Sequence, residues 1–152
     1  MIGNLKVLRL TKLLLKINHY STMNNSERLG IVWFRNDLRI HDNTALHHAL
    51  DLIKQKKIDK IIPFYCFEKD FFEGVSRTAQ IPRTCTLKNN FIIESVLNLK
   101  ENLIKTVGSN LYVSYGQPEL EIMKLIDEVS STNTGISLDI VIASKGKQMK
   151  RF

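Results

Sequence analysis

Four short apolar runs alternate along the chain with three segments whose apolar residues recur at helical spacing. The runs, rich in the β-branched and aromatic residues that favour strands, cover residues 29–34, 60–67, 111–115 and 138–143. The helical segments between them cover residues 43–57, 84–107 and 118–129. Because strand and helix alternate throughout, the sequence predicts a doubly wound, Rossmann-like α/β fold, in which helices cover both faces of a parallel sheet of about four strands.

The loops between these elements contain helix-capping residues and candidate binding residues. Asp42 or Asn43 can cap the first helix, and Gly108 can end the second. Residues 68–83 are predicted to form one long loop. Ligands of parallel sheets bind beyond the carboxyl ends of the strands. The candidate binding loops are therefore residues 35–42, 68–83, 116–117 and those that follow 143.

The net charge of +7 is located at the two ends of the chain. Residues 1–26 and residues 145–152 each contain four basic residues and no acidic one. Between them, 14 basic residues stand against 15 acidic ones, a net charge of −1. This distribution argues against a domain that binds DNA through a basic surface of its own. No apolar run approaches the roughly 20 residues of a membrane-spanning helix, so no membrane partner is expected.

The first 26 residues have the composition of an organellar presequence. They are basic, free of acidic residues and rich in leucine, and on a helical projection Leu10, Leu13, Leu14 and Ile17 share one side. This pattern predicts import into a mitochondrion or a plastid. The alternatives are a disordered extension or a true start at Met23, with the protein in the cytoplasm or nucleus.

The segment from Val32 to Leu46 carries the most specific pattern in the chain. Its residues VWFRNDLRIHDNTAL resemble, without a gap, the W-F-R-x-D-L-R-x-x-D-N-x-A-L opening of the photolyase/cryptochrome family. A second stretch, from Arg77 to Thr84 and into the long helix, resembles the DASH branch of cryptochromes. Two departures are Cys85, where glycine is usual, and Lys88, where arginine is usual. The resemblance extends over about residues 29–145.

This resemblance implies three regions and one candidate site. Residues 1–26 form the leader, residues 27–145 an incomplete family α/β domain, and residues 146–152 a basic tail unlike the family. The family motif loop lies at the carboxyl edge of the sheet, near the junction with a helical domain, and carries Arg35, Asp37, Arg39, Asp42 and Asn43. Its alternating arginines and carboxylates suit a fixed ion-pair network. The alternative is a solvated loop that contributes little.

Full-length members of the family imply further partners. They bind FAD in a helical C-terminal domain, carry a folate-type antenna, and act on single-stranded or damaged DNA. The helical FAD-binding domain, which this chain does not encode, would be its packing partner. No catalytic or metal-binding residue is assigned here, and the cofactor-binding residues stay open. Trp33, the single tryptophan, is predicted to pack in the core.

Family-like residues end near Lys145, and we therefore expect a truncated product. It would lack the fifth strand of the family sheet, leaving one strand edge and an apolar surface uncovered. The leading hypothesis for function is the N-terminal α/β domain of a DASH-like blue-light photoreceptor or DNA photolyase, not photoactive alone. The alternatives are a vestigial interaction fragment without catalytic activity and a stand-alone domain that binds a small molecule.

Overall fold

A computed structural model describes residues 28–76, 78–132, 137–143 and 148–149 of the chain. The predicted leader, residues 1–26, and most of the predicted tail lie outside the described residues. Nine elements follow one another within the described part. The strands are β1 (Arg28–Phe34), β2 (Lys60–Glu68), β3 (Tyr112–Gly116), β4 (Ser137–Ala143) and β5 (Gln148–Met149). The helices are α1 (Thr44–Lys54), α2 (Lys69–Phe72), α3 (Thr86–Val107) and α4 (Pro118–Thr132).

The strands form one sheet in the order β3-β2-β1-β4-β5. The strands β1 to β4 pair in parallel with one another, which confirms the doubly wound α/β class. The strand order reverses between β1 and β4. Helices that connect strands on either side of such a reversal cover opposite faces of a sheet when every crossover is right-handed.

The expectation that the sheet lacks a fifth strand is corrected. Gln148 and Met149, within the predicted tail, pair antiparallel with Ile142 and Val141 of β4. The chain reverses after β4 and returns along its outer edge. There, β5 supplies partners for backbone groups that would otherwise be unpaired. The fifth strand is therefore short and antiparallel.

The segment 68–83, predicted as a loop throughout, contains the one-turn helix α2 and an isolated bridge between Val75 and Pro82. Two adjacent phenylalanines explain the turn of helix. The Phe72 ring packs edge-to-face on Phe67 of β2, with 5.4 Å between ring centroids, and Phe71 packs on Phe72 at 5.2 Å. This aromatic contact holds the start of the segment against the sheet.

Two apolar cores lie on opposite faces of the sheet. Along β1, Val32 and Phe34 enter the core beneath α1 and α3, whereas Ile31 and Trp33 enter the core beneath α4. Side chains of a strand alternate between faces, so a strand buried on both sides must be apolar throughout. The core position of Trp33 is thereby confirmed, since only 3% of the residue is exposed.

The ends of the helices follow from their terminal residues. Asn43 caps α1 and Gly108 ends α3 with a φ of 67°, as predicted. At the end of α1, Lys56 adopts a φ of 55°. Its N–H donates to the Ile53 carbonyl, and the Lys57 N–H donates to the Leu52 carbonyl. This is a Schellman motif, and lysine occupies the left-handed position that glycine favours.

We expect Lys56→Gly to raise the free energy of unfolding by about 0.5–1 kcal/mol, because glycine removes the left-handed strain but is more flexible when unfolded. The matched opposite change is Gly108→Ala. No heavy atom lies within 4 Å of the added Cβ, so its effect comes from the backbone alone, a loss of about 1 kcal/mol. Urea denaturation of both variants measures the two values. A loss of stability in Lys56→Gly would contradict this account of the end of α1.

Candidate functional site

Arg35 is the first residue after β1 and joins the carboxyl ends of two strands. Its guanidinium carbon lies 4.8 Å from the centre of the Trp33 ring, a cation–π contact. Its Nη2 lies 3.9 Å from Oε1 of Glu68, the last residue of β2. Both side chains are about half-exposed. The pair therefore links the carboxyl ends of β1 and β2 without burying an unpaired charge.

Two residues further on, Asp37 and Arg39 form a bidentate pair. The Arg39 Nε donates to Asp37 Oδ1 at 2.9 Å and its Nη2 donates to Oδ2 at 3.3 Å. The Arg39 backbone N–H donates to the same carboxylate at 3.2 Å. These bonds from Arg39 lower the pKa of the Asp37 carboxyl from its usual 3.8, against a smaller opposing effect of burial. The Arg39 side chain remains 71% exposed.

Asn43 holds the motif loop to the first helix and is fully buried. Its Oδ1 accepts the Leu46 backbone N–H at 3.0 Å, which caps α1. Its Nδ2 donates to the Arg39 carbonyl at 3.2 Å and to the Asp37 carbonyl at 3.4 Å. One amide side chain thus satisfies both the helix end and the loop that precedes it.

The motif residues are close in space, but their charges do not form the single network that was expected. Arg35 pairs with Glu68, which is outside the motif, while Asp37 pairs with Arg39. Asp42 has a φ of 55° and acts on Arg39 through a longer-range attraction. The register of β1 against β2 explains the difference, because Phe34 lies opposite Tyr65 and β2 continues from there to Glu68, alongside the residues that follow β1. The assignment of this loop to a domain interface stays a prediction.

A cavity of about 360 Å³ lies beside the Arg35–Glu68 pair, between the motif loop, α2 and the first half of α3. Five of its lining residues are aromatic: Trp33, Tyr65, Phe71, Phe72 and Phe91. Its charged residues are Arg35, Glu68 and Lys88. A planar aromatic ligand with polar substituents fits such a lining, which offers ring faces together with both signs of charge.

The α3 wall of this cavity was not found by the sequence analysis. Lys88, Phe91, Ile92 and Ser95 line it at helical spacing, and the Lys88 ammonium lies 4.9 Å from the centre of the Phe71 ring. Leu87 and Phe91 belong to the apolar pattern that predicted this helix, yet 82% and 69% of these residues are exposed. Their exposure is the available clue to a functional surface, since large apolar residues are mostly buried.

Two further depressions adjoin the first. One, of about 180 Å³, lies on the other side of the Arg35–Glu68 pair, at the start of α4. The other, of about 540 Å³, is a more open groove between α3 and the loop that carries Asp37 and Arg39. All three lie at the carboxyl edge of the sheet, where the loops after β1, β2 and β3 were predicted to form binding sites.

Both cysteines are free thiols, and burial raises the pKa of the Cys66 thiol, on β2 at the cavity, to about 11. Cys66 therefore stays protonated and unreactive near neutral pH. Within the part of the chain that the structure describes, no group of three or more His, Cys, Asp or Glu residues could hold a metal ion. In that part, too, no helix combines the length and apolar character needed to cross a bilayer.

Comparison with known proteins gives consistent matches. Residues 30–140 match the family described as DNA photolyase. The blue-light photoreceptor PHR2 of Arabidopsis thaliana is 38% identical over 105 residues, which cover 68% of this chain and 22% of that protein. Cryptochrome DASH of Danio rerio is 33% identical over 126 residues, covering 83% and 23%. The chloroplastic/mitochondrial cryptochrome DASH of Solanum lycopersicum is 41% identical over 91 residues, covering 60% and 15%.

The chain thus spans about a fifth of the length of the curated relatives it matches.

Asn43→Ala should lower the free energy of unfolding by about 2–3 kcal/mol, because it removes a cap and two hydrogen bonds from a buried position. Asn43→Ser is the matched control, since serine keeps the capping acceptor and loses only the loop contacts; we expect about half the loss. Urea denaturation measures both. A loss below about 0.5 kcal/mol in Asn43→Ala would contradict the proposed linkage of loop and helix.

Arg39→Gln should raise the pKa of the Asp37 carboxyl towards 3.8, as followed by carboxyl-carbon NMR titration. Because the folded-state pKa is lowered, the pair stabilises the fold above the unfolded-state pKa and loses this effect as pH falls through the folded-state value. The stability difference between wild type and Arg39→Gln should therefore be constant well above the unfolded-state pKa and should shrink as pH falls towards and through the lowered folded-state pKa. Arg28→Gln, which removes the partner of Asp59, is the control and should leave Asp37 unchanged.

Proposed function

The chain belongs to the DNA photolyase family, and from this membership we propose that it serves as the α/β domain of a DASH-type blue-light photoreceptor or photolyase. In this role it holds a light-harvesting chromophore at the carboxyl edge of the sheet and packs that edge against a helical, FAD-binding domain. Photochemistry at the flavin and any action on single-stranded or damaged DNA belong to the complete protein.

The observation that carries this proposal is the aromatic cavity beside Arg35 and Glu68. Its volume of about 360 Å³ lies within the range of small-molecule sites, roughly 300–1,000 Å³. A folate-type antenna has a planar pterin ring, which suits the faces of Phe71 and Phe91. It also has carboxylates that suit Lys88, and ring amino groups that can donate to Glu68. When bound, such a chromophore absorbs blue and near-ultraviolet light and passes the excitation energy on.

The exposed apolar part of α3 supports the packing role. Leu87 and Phe91 lie in the first two turns of the helix, and Phe91 lines the cavity. A partner that covers these side chains would remove apolar surface from water and close the open side of the cavity in one step. The motif loop with Asp37 and Arg39 lies on the same side and would form the polar rim of that interface.

The exposed apolar surface also favours a second candidate, an interaction module without chemistry of its own. Trp33 is the single tryptophan and is buried between strands and helix, so this chain offers no series of tryptophan electron carriers. Residues 27–144 have a net charge of −1, which does not favour DNA binding by this domain. Binding of a chromophore separates the two candidates.

We further propose the division into a leader (1–26), the family domain (27–145) and a basic tail (146–152), with delivery to a plastid or mitochondrion. Support comes from the basic, acid-free composition of residues 1–26 and from plant relatives named as chloroplastic/mitochondrial. The cytoplasm or nucleus is the alternative location.

Titration of the 152-residue chain with 5,10-methenyltetrahydrofolate, followed by fluorescence, tests chromophore binding. Phe91→Ala should weaken binding about fivefold through loss of ring stacking. Ile104→Ala is the matched control, because Ile104 is another exposed apolar residue of α3 and does not line the cavity. It should bind as wild type does. Absence of binding by a chain shown to be folded by circular dichroism would overturn the chromophore role.

A further inference from the structure

Three charged side chains line the aromatic cavity, and two of them compensate each other. Arg35 and Glu68 form an ion pair at 3.9 Å. Lys88 is different: in the part of the chain that the structure describes, no carboxylate lies within 4.0 Å of its ammonium. Glu94, further along α3, lines the neighbouring groove and not this cavity. The cavity therefore contains one positive charge that its own residues do not neutralise.

The Lys88 ammonium lies over the face of the Phe71 ring, 4.9 Å from its centre. It occupies the surface that an aromatic ligand would use for stacking, since Phe71 belongs to the cavity wall. A cation–π contact at an exposed site is weak, so a ligand can displace the ammonium from the ring. Whether binding is favourable then depends on which ligand group the displaced Lys88 ammonium contacts.

A neutral ring that stacks on Phe71 displaces the Lys88 ammonium, which loses its cation–π contact and gains no charged acceptor. A ring that carries a carboxylate takes the same place and gives the ammonium a charged acceptor. The same residue thus disfavours one ligand and favours the other, which is how binding sites achieve discrimination. Resting on the function proposed above, we propose that Lys88 is a specificity-determining residue. It makes this cavity select a planar aromatic ligand bearing a carboxylate over its neutral counterpart.

Two pterins with the same ring test this selectivity. Pterin-6-carboxylate is an anion at pH 7.5, and 6-hydroxymethylpterin is neutral, so their affinities for the 152-residue chain differ through the substituent. Both are fluorescent, and each is titrated at low and high sodium chloride. Wild type should bind the carboxylate about tenfold more tightly, and the ratio should fall at high salt because an exposed charge pair is screened.

Lys88→Met keeps the length and apolar stem of the side chain and removes the charge. It should weaken binding of the carboxylate about tenfold and leave the neutral pterin unchanged or slightly tighter, bringing the ratio close to one. Lys88→Arg should retain the preference. Lys105→Met, on the same helix and outside the cavity, is the control and should bind as wild type does.

The outcomes are distinct. A wild-type ratio near one, or a ratio that survives Lys88→Met, would overturn the role of Lys88 and leave chromophore binding in place. Failure of both pterins and of the folate to bind the folded chain would overturn the proposed function together with this inference. A tenfold ratio that is lost in Lys88→Met and retained in Lys88→Arg and Lys105→Met is the expected result.

Discussion

The architecture depends on the burial of β1 on both faces and along both edges. β2 and β4 pair with it on either side, and its successive side chains enter two separate cores. A strand in this position has no freedom of register, since a shift by one residue would exchange the two sets of side chains. The register of β1 therefore fixes the position of the next residue, Arg35, at the carboxyl edge of the sheet. Arg35 takes part in the ion pair with Glu68 and in the cation–π contact with Trp33, and it lines the cavity.

The fold was largely predictable because its strongest determinants are local or periodic. Continuous apolar runs identified the four parallel strands, and Asn43 and Gly108 marked helix ends through their own side-chain chemistry. The elements that the sequence did not predict have a common cause. The one-turn helix α2 depends on Phe72 meeting Phe67, and β5 depends on the free edge of β4, which are tertiary contacts without a local pattern. Lys56 in a left-handed conformation contradicts local preference, and only the Schellman hydrogen bonds reveal it.

The sequence predicted where the candidate site lies, but it did not predict all of the residues that form it. The motif loop was correctly placed at the carboxyl edge, because the residues after a buried strand must emerge there. The partner of Arg35 is Glu68, 33 positions away, and the pairing follows from the alignment of β1 with β2. Lys88 and Phe91 come from a helix that periodicity treated as ordinary core packing. Their importance depends on what the motif loop after β1 and the helix α2 after β2 place opposite them, which no pattern along α3 contains.

Trp33 gives this edge of the protein an optical property. The indole is nearly fully shielded from water, has a guanidinium stacked on it, and forms part of the wall of two cavities at once. It is also the only tryptophan, so the intrinsic emission of the chain at long ultraviolet wavelengths arises from this one ring. A pterin absorbs in the region where tryptophan emits. A pterin in either cavity would therefore be detected by resonance energy transfer from Trp33, which lines both cavities.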